Sequence, residues 1–141
     1  DWVQLHGKET PKYCRALGGK QIKAFRVKDS SSLGLIREYP CAGILLDAYD
    51  SSVLGLPSRR GVPPRMGGTG KLFDWDLAVT AKQFGKPIIL AGGLTPENIK
   101  EAVEKVNPYG VDVSSGVEIN PGKKDYKKLE RFITAVKSQK S

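Results

Sequence analysis

The sequence predicts an α/β protein built on a parallel sheet. Short apolar runs of strand type alternate along the chain with longer amphipathic segments of helix type. Runs such as GILL and PIIL are apolar throughout, which indicates strands buried on both faces under helices. One strand with its helix takes about 25 to 30 residues, the usual size of a βα unit. We therefore expect five βα units in succession, in a barrel-type array or an open doubly wound sheet.

The predicted elements follow one another in chain order. Strands are expected at WVQLH, QIKAFRV, CAGILLD, PIILAGG and GVDVSS, and helices at KETPKYCRAL, SSSLGLIREY, FDWDLAVTAKQF, TPENIKEAVEKV and KDYKKLERFITAVK. In the fourth helix, Thr95 is expected to cap the N-terminus and Pro96 to take the first position, while Glu97 suits the helix dipole. The last two helices carry apolar residues at helical spacing, namely Ile99, Ala102, Val103 and Val106, then Leu129, Phe132, Ile133 and Val136.

One segment interrupts this rhythm between the third strand and its helix. The stretch SSVLGLPSRRGVPPRMGGTGKL is rich in glycine, proline and arginine. Loops of this length are uncommon in compact domains and are usually functional or mobile. We expect a long disordered loop at residues 51–70, with Gly55 to Met66 at its centre, inside one domain that spans residues 1–141.

Composition and charge exclude several classes of protein. No window approaches the roughly 18 consecutive apolar residues of a membrane helix, and the first residues lack a secretory signal. We therefore expect a cytoplasmic protein with no membrane partner. Cys14, Cys41 and the single His6 have no metal-ligand spacing, so no metal site is predicted. The net charge of +8 is spread over helix-like segments, which favours a solvated face and an anionic small substrate over nucleic acid.

Candidate site residues follow the predicted strands, because ligands of parallel βα proteins bind where strands end and helices begin. Glycine- and serine-rich turns let backbone N–H groups approach an anion, so three of these turns together predict a phosphate cradle. GGTGK is not a nucleotide-triphosphate loop, because Arg65 and Leu72 occupy positions that need Gly and Ser or Thr. The candidates are His6, Asp47, Gly68, Gly70, Lys71, Gly92, Gly93, Asp112, Ser114, Ser115 and Gly116.

The acidic candidates admit two interpretations each. Asp47 ends the apolar run GILLD, where a carboxyl group is either a polar stop at the strand mouth or a group for proton transfer. Asp112 lies between Val111 and Val113, which favours a structural or interior position over catalysis. His6 is more often polar or structural at such a place than a base, and Lys71 suits a glycine loop that closes over an anion.

Five motifs in order resemble one family. VQLHG, LLDAYD, GGTGKLFDW, LAGGLTPENI and VDVSSGVEINPGKKD are similar to phosphoribosylanthranilate isomerase, the tryptophan-pathway enzyme with a (βα)8 barrel. The resemblance runs from about Val3 to Lys137, interrupted by the long loop. VQLHG matches the family's fourth strand. The resemblance therefore implies the last five of eight βα units, that is, a truncated barrel that is open or incomplete.

The resemblance also implies a reaction and its residues. The family carries out an Amadori rearrangement of the N-linked phosphoribosyl aminoaldose of anthranilate to an aminoketose, without metal or cofactor. Asp47 matches the general acid that opens the sugar ring. Gly92, Gly93 and the segment 114–116 match the phosphate-holding turns, and Asp112 matches an acid that positions the sugar.

The resemblance places the family's general base, a cysteine on its first strand, and an arginine that meets the anthranilate carboxylate in units that precede VQLHG. Cys14 is predicted in an outer helix and Cys41 at the opposite end of its strand, so neither replaces that base. Loss of a general base costs roughly 10² to 10⁴ in rate. We expect the chain alone to be inactive or nearly so, to keep part of the phosphate site, and to associate with itself or with an N-terminal segment.

Two other functions remain open at this stage. A complete small phosphate-binding enzyme of another type would use Asp47 and Lys71 for acid–base chemistry. A basic nucleic-acid-binding module would account for the net charge, but the sequence lacks aromatic residues interleaved with basic ones and any recognised binding motif.

Overall fold

The structure, a computed structural model, describes residues 1–48 and 74–139, so the predicted disordered loop at residues 51–70 lies outside the described residues. The strands are β1 (Val3–Leu5), β2 (Gln21–Val27), β3 (Gly43–Ala48), β4 (Ile88–Leu90), β5 (Gly110–Val111), β6 (Glu118–Asn120) and β7 (Lys123–Lys124). The α-helices are α1 (Pro11–Leu17), α2 (Ser31–Gly34), α3 (Trp75–Ala81), α4 (Ile99–Val106) and α5 (Tyr126–Lys137). Short 3-10 helices cover Leu35–Glu38, Lys82–Phe84 and Ser115–Val117.

The first five strands form one parallel sheet in the order β1-β2-β3-β4-β5. Strand order follows chain order, as a succession of βα units requires, and the prediction of a parallel α/β fold is confirmed. Among the strands of the described ranges, β1 and β5 each pair with one neighbour, so these five strands do not close on themselves. No helix in residues 1–48 or 74–139 is long and apolar enough to cross a membrane.

The two faces of the sheet carry different cores. On the helix side, Phe25, Ile44 and Leu46 pack with the apolar faces of α3, α4 and α5 in one large cluster. The opposite side of the sheet, which we call the inner face, carries a smaller cluster of Ala24, Leu45 and Ala91. Because successive side chains of a strand point to opposite faces, every strand residue can be assigned to one side. Each fully buried Leu or Ile contributes roughly 1.5 to 3 kcal/mol, so the helix-side cluster dominates stability.

The start of the fourth helix differs from the prediction. The α-helix begins at Ile99, four residues after Thr95. The Thr95 hydroxyl accepts a hydrogen bond from the Glu97 N–H (3.3 Å), and the Asn98 side chain accepts one from the Thr95 N–H (2.8 Å). These bonds close a turn over residues 95–98, and that turn takes the place of the predicted first helical turn. In α5, Ile133 is 44% exposed, so its assignment to the apolar face was wrong.

The antiparallel hairpin β6–β7 was not predicted. Glu118 lies opposite Lys124, and Asn120 lies opposite Lys123, with Gly122 in the turn at φ 81°. A positive φ of this size favours glycine, which supplies the turn. The hairpin strands are short, Ile119 is their one apolar residue, and they lack the apolar alternation from which strands are predicted. The hairpin comes directly after the loop that contains Ser114 to Gly116.

Candidate active site

The predicted site residues collect at the carboxyl edge of the sheet. His6 follows β1, Asp47 is the second-to-last residue of β3, Gly92 and Gly93 come just after β4, and Asp112 follows β5. Parallel strands end at the same edge, which is why residues spread over the whole sequence share one side of the molecule. Gly68, Gly70 and Lys71 lie outside the described residues, and their predicted contribution stays a prediction.

His6 and Asp47 form a pair across the inner face. The imidazole Nε2 lies 3.6 Å from Asp47 Oδ2, and the two side chains are 42% and 27% exposed. Strand β2 lies between them in the sheet. It presents the small residue Ala24 on the inner face, which leaves room for the imidazole and the carboxyl group to approach.

The amide of Gln4 lies on the other side of the imidazole. Gln4 Nε2 is 3.4 Å from His6 Nδ1. If the amide donates to Nδ1, the neutral ring carries its proton on Nε2, where it faces the carboxylate. Both side chains of the pair are partly exposed, so the pair lies where solvent reaches it.

Arg26 is a charged neighbour of Asp47 that sequence analysis did not single out. Its Cα pairs with that of Asp47 in the β2–β3 register. Arg26 is exposed and alternates with Phe25 and Val27 of the helix-side cluster, so it lies on the inner face with Asp47. The alternation in QIKAFRV was the available signal, because it puts Ala24 and Arg26 on one side of the strand.

The loop after β4 is shaped by backbone conformation and by one asparagine. Gly92 and Gly93 have φ angles of 79° and 68°, a region that side chains with a Cβ rarely adopt. Asn98 donates from its side-chain amide to the Gly93 carbonyl (2.9 Å) and accepts from the Thr95 N–H (2.8 Å). Asn98, next to the start of α4, therefore ties the residues after Gly92 to the helical end of the loop. Sequence analysis missed it, although an Asn beside a Gly-rich turn is a common turn-forming signal.

The loop after β5 packs backbone to backbone against the loop after β4. The Asp112 N–H donates to the Leu90 carbonyl (2.8 Å), which continues the pairing of the two strands to the edge of the sheet. A Cβ added at Gly116 would lie 1.8 Å from the Leu94 carbonyl oxygen. Gly116 is thus required by close approach, and the two predicted cradle turns are in direct contact. Asp112, Ser114 and Ser115 are exposed beside this contact.

Both cysteines lie away from this edge. Cys14 is buried in α1, and burial raises the pKa of its thiol. Cys41 is buried just before β3, at the opposite end of the strand from Asp47. The expectation that neither thiol reaches the carboxyl edge is confirmed.

Fold and site together define the class: a parallel βα protein with an acid and two interlocked glycine- and serine-rich loops at the carboxyl edge of its sheet. The model of the N-(5'-phosphoribosyl)anthranilate (PRA) isomerase family matches residues 1–135. The chain belongs to this family.

Named relatives agree with this assignment. The chain is 54% identical over 138 residues to an N-(5'-phosphoribosyl)anthranilate isomerase of Geobacter metallireducens, a match that covers 98% of this chain and 62% of the relative. A crystal structure of mutually generated monomers of the dimeric phosphoribosylanthranilate isomerase of Thermotoga maritima is also similar. It has a TM-score of 0.74 and 34% identity, and the match covers 97% of this chain and 60% of that one.

A second crystal structure shows the isomerase in complex with reduced 1-(o-carboxyphenylamino)-1-deoxyribulose 5-phosphate. It has a TM-score of 0.70 at 34% identity and covers 97% of this chain and 59% of that one. The chain therefore spans about three fifths of the length of the relatives it matches.

Proposed function

We propose that this chain supplies the general acid and the phosphate cradle for the isomerisation of N-(5'-phosphoribosyl)anthranilate in tryptophan biosynthesis. The observation that carries the proposal is the position of Asp47. It lies 3.6 Å from His6 at the same sheet edge as the interlocked loops of Gly92–Gly93 and Ser114–Gly116. Family membership supplies the reaction, and the complexed relative supports a phosphorylated ligand of this type.

The acid step uses the proton of Asp47. Protonation of the ring oxygen lets the bond between that oxygen and the anomeric carbon break, while the nitrogen lone pair forms a C=N bond and opens the furanose. Asp47 is left as a carboxylate. The nearby imidazole of His6 can hold that carboxylate in place and return a proton to it from solvent, because the ring is partly exposed.

The second step removes the proton from the neighbouring sugar carbon. The electrons of that C–H bond move to form a C=C bond and return the C=N pair to nitrogen. The resulting enolamine becomes the aminoketose when its hydroxyl group loses its proton and the former anomeric carbon gains one. Within the described residues no cysteine lies at the carboxyl edge, so we propose that the base comes from further βα units. The isolated chain is then deficient in turnover, and its five strands form part of a larger barrel.

Binding of the phosphate is assigned to the two interlocked loops. Positive φ angles at Gly92 and Gly93 turn backbone N–H groups in directions that ordinary strand ends do not offer. Asp112, exposed beside them, is assigned to the sugar hydroxyl groups. The net charge of +8, with Arg26 on the inner face, raises the local concentration of an anionic substrate.

Isomerase turnover with freshly prepared N-(5'-phosphoribosyl)anthranilate tests the proposal. We would assay the 141-residue chain alone and after mixing with the segment of the Geobacter metallireducens relative that the match leaves uncovered. We expect activity in the mixture. Asp47→Asn should lower it by roughly 10² to 10⁴.

The control is Asp76→Asn, which removes the same charge from an exposed helical residue paired with Lys105 (3.0 Å). It should leave turnover within about twofold. Full activity of the Asp47→Asn mixture would overturn the assignment of the acid. Turnover by the chain alone would show that the base lies among these 141 residues.

A further inference from the structure

The hairpin β6–β7 contacts the loop after β5 through the side chain of Lys124. Lys124 Nζ donates to the Ser114 carbonyl (2.9 Å) and lies 2.8 Å from Glu118 Oε1. The other oxygen of Glu118 accepts from the Gly122 N–H (3.3 Å) in the hairpin turn. Glu118 thus connects the ammonium group of Lys124 to the hairpin turn, and Lys124 bonds to the loop after β5.

The base of the hairpin is itself anchored to the core and to α5. Val117, 1% exposed, is part of the helix-side cluster, and its carbonyl accepts from the Asp125 N–H (2.8 Å). Lys128 of α5 donates to the Glu118 carbonyl (2.9 Å). The Lys124–Glu118 pair therefore starts from a fixed frame, although the Lys124 side chain is 42% exposed.

We propose that Lys124, held by Glu118, is a positioning residue for the phosphate cradle, and this inference rests on the proposed function. A peptide unit is planar and trans, so its C=O and the following N–H point in opposite directions. The Ser114 carbonyl accepts from Lys124 (2.9 Å) and, more weakly, from the Val117 N–H (3.4 Å), and fixing this carbonyl also fixes the direction of the Ser115 N–H. A charge-assisted bond to the carbonyl polarises the peptide and makes that N–H a stronger donor.

The same loop is also in close contact with the loop after β4. Gly116 lies against the Leu94 carbonyl with no space for a Cβ. The segment from Ser114 to Gly116 is thus held between Lys124 on one side and the loop after β4 on the other. An anion bound by Ser115 N–H would be met by a donor whose orientation costs nothing to arrange on binding.

The geometry distinguishes positioning from direct attraction of the anion. If Lys124 acted only through its charge, removal of the Glu118 carboxylate would strengthen anion binding, because a negative charge disappears. If Lys124 acts by orienting the loop, removal of that carboxylate loosens Lys124 and weakens binding. Glu118→Gln therefore changes the affinity in opposite directions under the two readings.

The experiment is a titration of the 141-residue chain with ribose 5-phosphate and inorganic phosphate, followed by amide NMR shifts. We expect Lys124→Met to raise Kd roughly five- to tenfold and Glu118→Gln to raise it about threefold. Lys124→Arg, which keeps a donor for the Ser114 carbonyl, should recover most of the affinity. The matched control is Lys123→Met, which removes the same charge from the adjacent exposed residue and should stay within about twofold.

The possible failures are separable. An unchanged Kd in Lys124→Met relative to Lys123→Met, or tighter binding in Glu118→Gln, would overturn the positioning inference alone. No phosphate-dependent shift in the unsubstituted chain would instead contradict the proposed phosphate cradle. Should Lys124→Met fail to fold, the sign of the change in Glu118→Gln against Lys123→Met decides the question.

Discussion

Two lysines perform the same task in different surroundings. Lys23 on β2 donates to the carbonyls of Gly7 (3.0 Å), Leu5 (3.4 Å) and Ala24 (3.0 Å) and pairs with Glu9 at 3.2 Å. Lys124 donates to the Ser114 carbonyl and pairs with Glu118. The Lys23 side chain is 4% exposed and the Lys124 side chain 42%.

The comparison of Lys23 with Lys124 indicates that burial decides whether a bond from a lysine to carbonyls affects mainly stability or mainly local geometry. A buried ammonium group must be fully partnered, and the groups around it depend on it in return. An exposed one can be replaced by water with little change in stability, so its effect is mainly on geometry. Lys23 should therefore contribute to the folding of the β1–β2 edge, and Lys124 to the shape of a loop.

The largest effect is expected from Lys23→Met. The substitution keeps most of the side-chain volume but leaves three backbone carbonyls and Glu9 without their cation. It also removes the charge that lies 5.6 Å from the centre of the Phe25 ring. We expect the free energy of unfolding to fall by roughly 3 kcal/mol, measured by urea denaturation.

Lys12→Met on the exposed side of α1 is the control and should change the free energy of unfolding by less than about 0.5 kcal/mol. Glu9→Gln combined with Lys23→Met should recover part of the loss, since no carboxylate is then left without its cation. If Lys23→Met lowers the free energy of unfolding by less than about 1 kcal/mol, Lys23 does not differ from Lys124 in its contribution to stability.

Gly116→Ala comes next in expected size. The new Cβ would collide with a backbone oxygen, so one of the two loops must shift. We expect a loss of about 2 kcal/mol in stability together with loss of phosphate binding, measured by urea denaturation and by titration with ribose 5-phosphate. Gly34→Ala is the matched control, because nothing lies within 4 Å of its added Cβ. Normal phosphate binding in Gly116→Ala would show that the contact between the loops is not needed.

The parts of the fold that follow from local pattern were predictable from sequence. Strand β2 has the predicted bounds, which its β-branched and aromatic residues Ile22, Phe25 and Val27 indicate, although the burial of Gln21 and Lys23 does not follow from the pattern. The hairpin β6–β7 was not predictable in this way, because Glu118 and Lys124 are polar and their pairing depends on contacts with Ser114 and α5. The fourth helix begins late because the side chains of Thr95 and Asn98 bond to nearby backbone N–H groups. Such bonds compete with the first helical turn, and helix propensity does not account for them.

The candidate site also combines features that the sequence predicts with features that it does not. Parallel topology alone predicts that His6, Asp47 and the two loops share one edge. The contact of His6 with Asp47 depends on register and on the small side chain of Ala24 between them. Register and packing between strands depend on residues that are far apart in the chain, so they could not be predicted from this one sequence.

The smallest effect concerns the titration of Glu118. The hydrogen bond from Lys124 is the main cause that holds the pKa of the Glu118 carboxyl below its ordinary value of 4.5, and the Gly122 N–H lowers it further. A lowered pKa in the folded state means that the contact contributes above the ordinary value and is lost as the pH falls through the folded one. The hairpin contact with Ser114 should therefore persist at neutral pH and weaken only in acid below that value.

Carboxyl NMR titration checks this directly. In Lys124→Met the pKa of Glu118 should rise toward its ordinary value, whereas in Lys123→Met it should stay low. Lys128 donates to the Glu118 backbone carbonyl and not to its carboxylate, so it should not substitute for Lys124. An equally low pKa in both variants would mean that the Gly122 N–H alone sets the carboxylate. Glu118 would then not link Lys124 to the hairpin turn, and the exposed lysine would have to be held at Ser114 by the carbonyl bond alone.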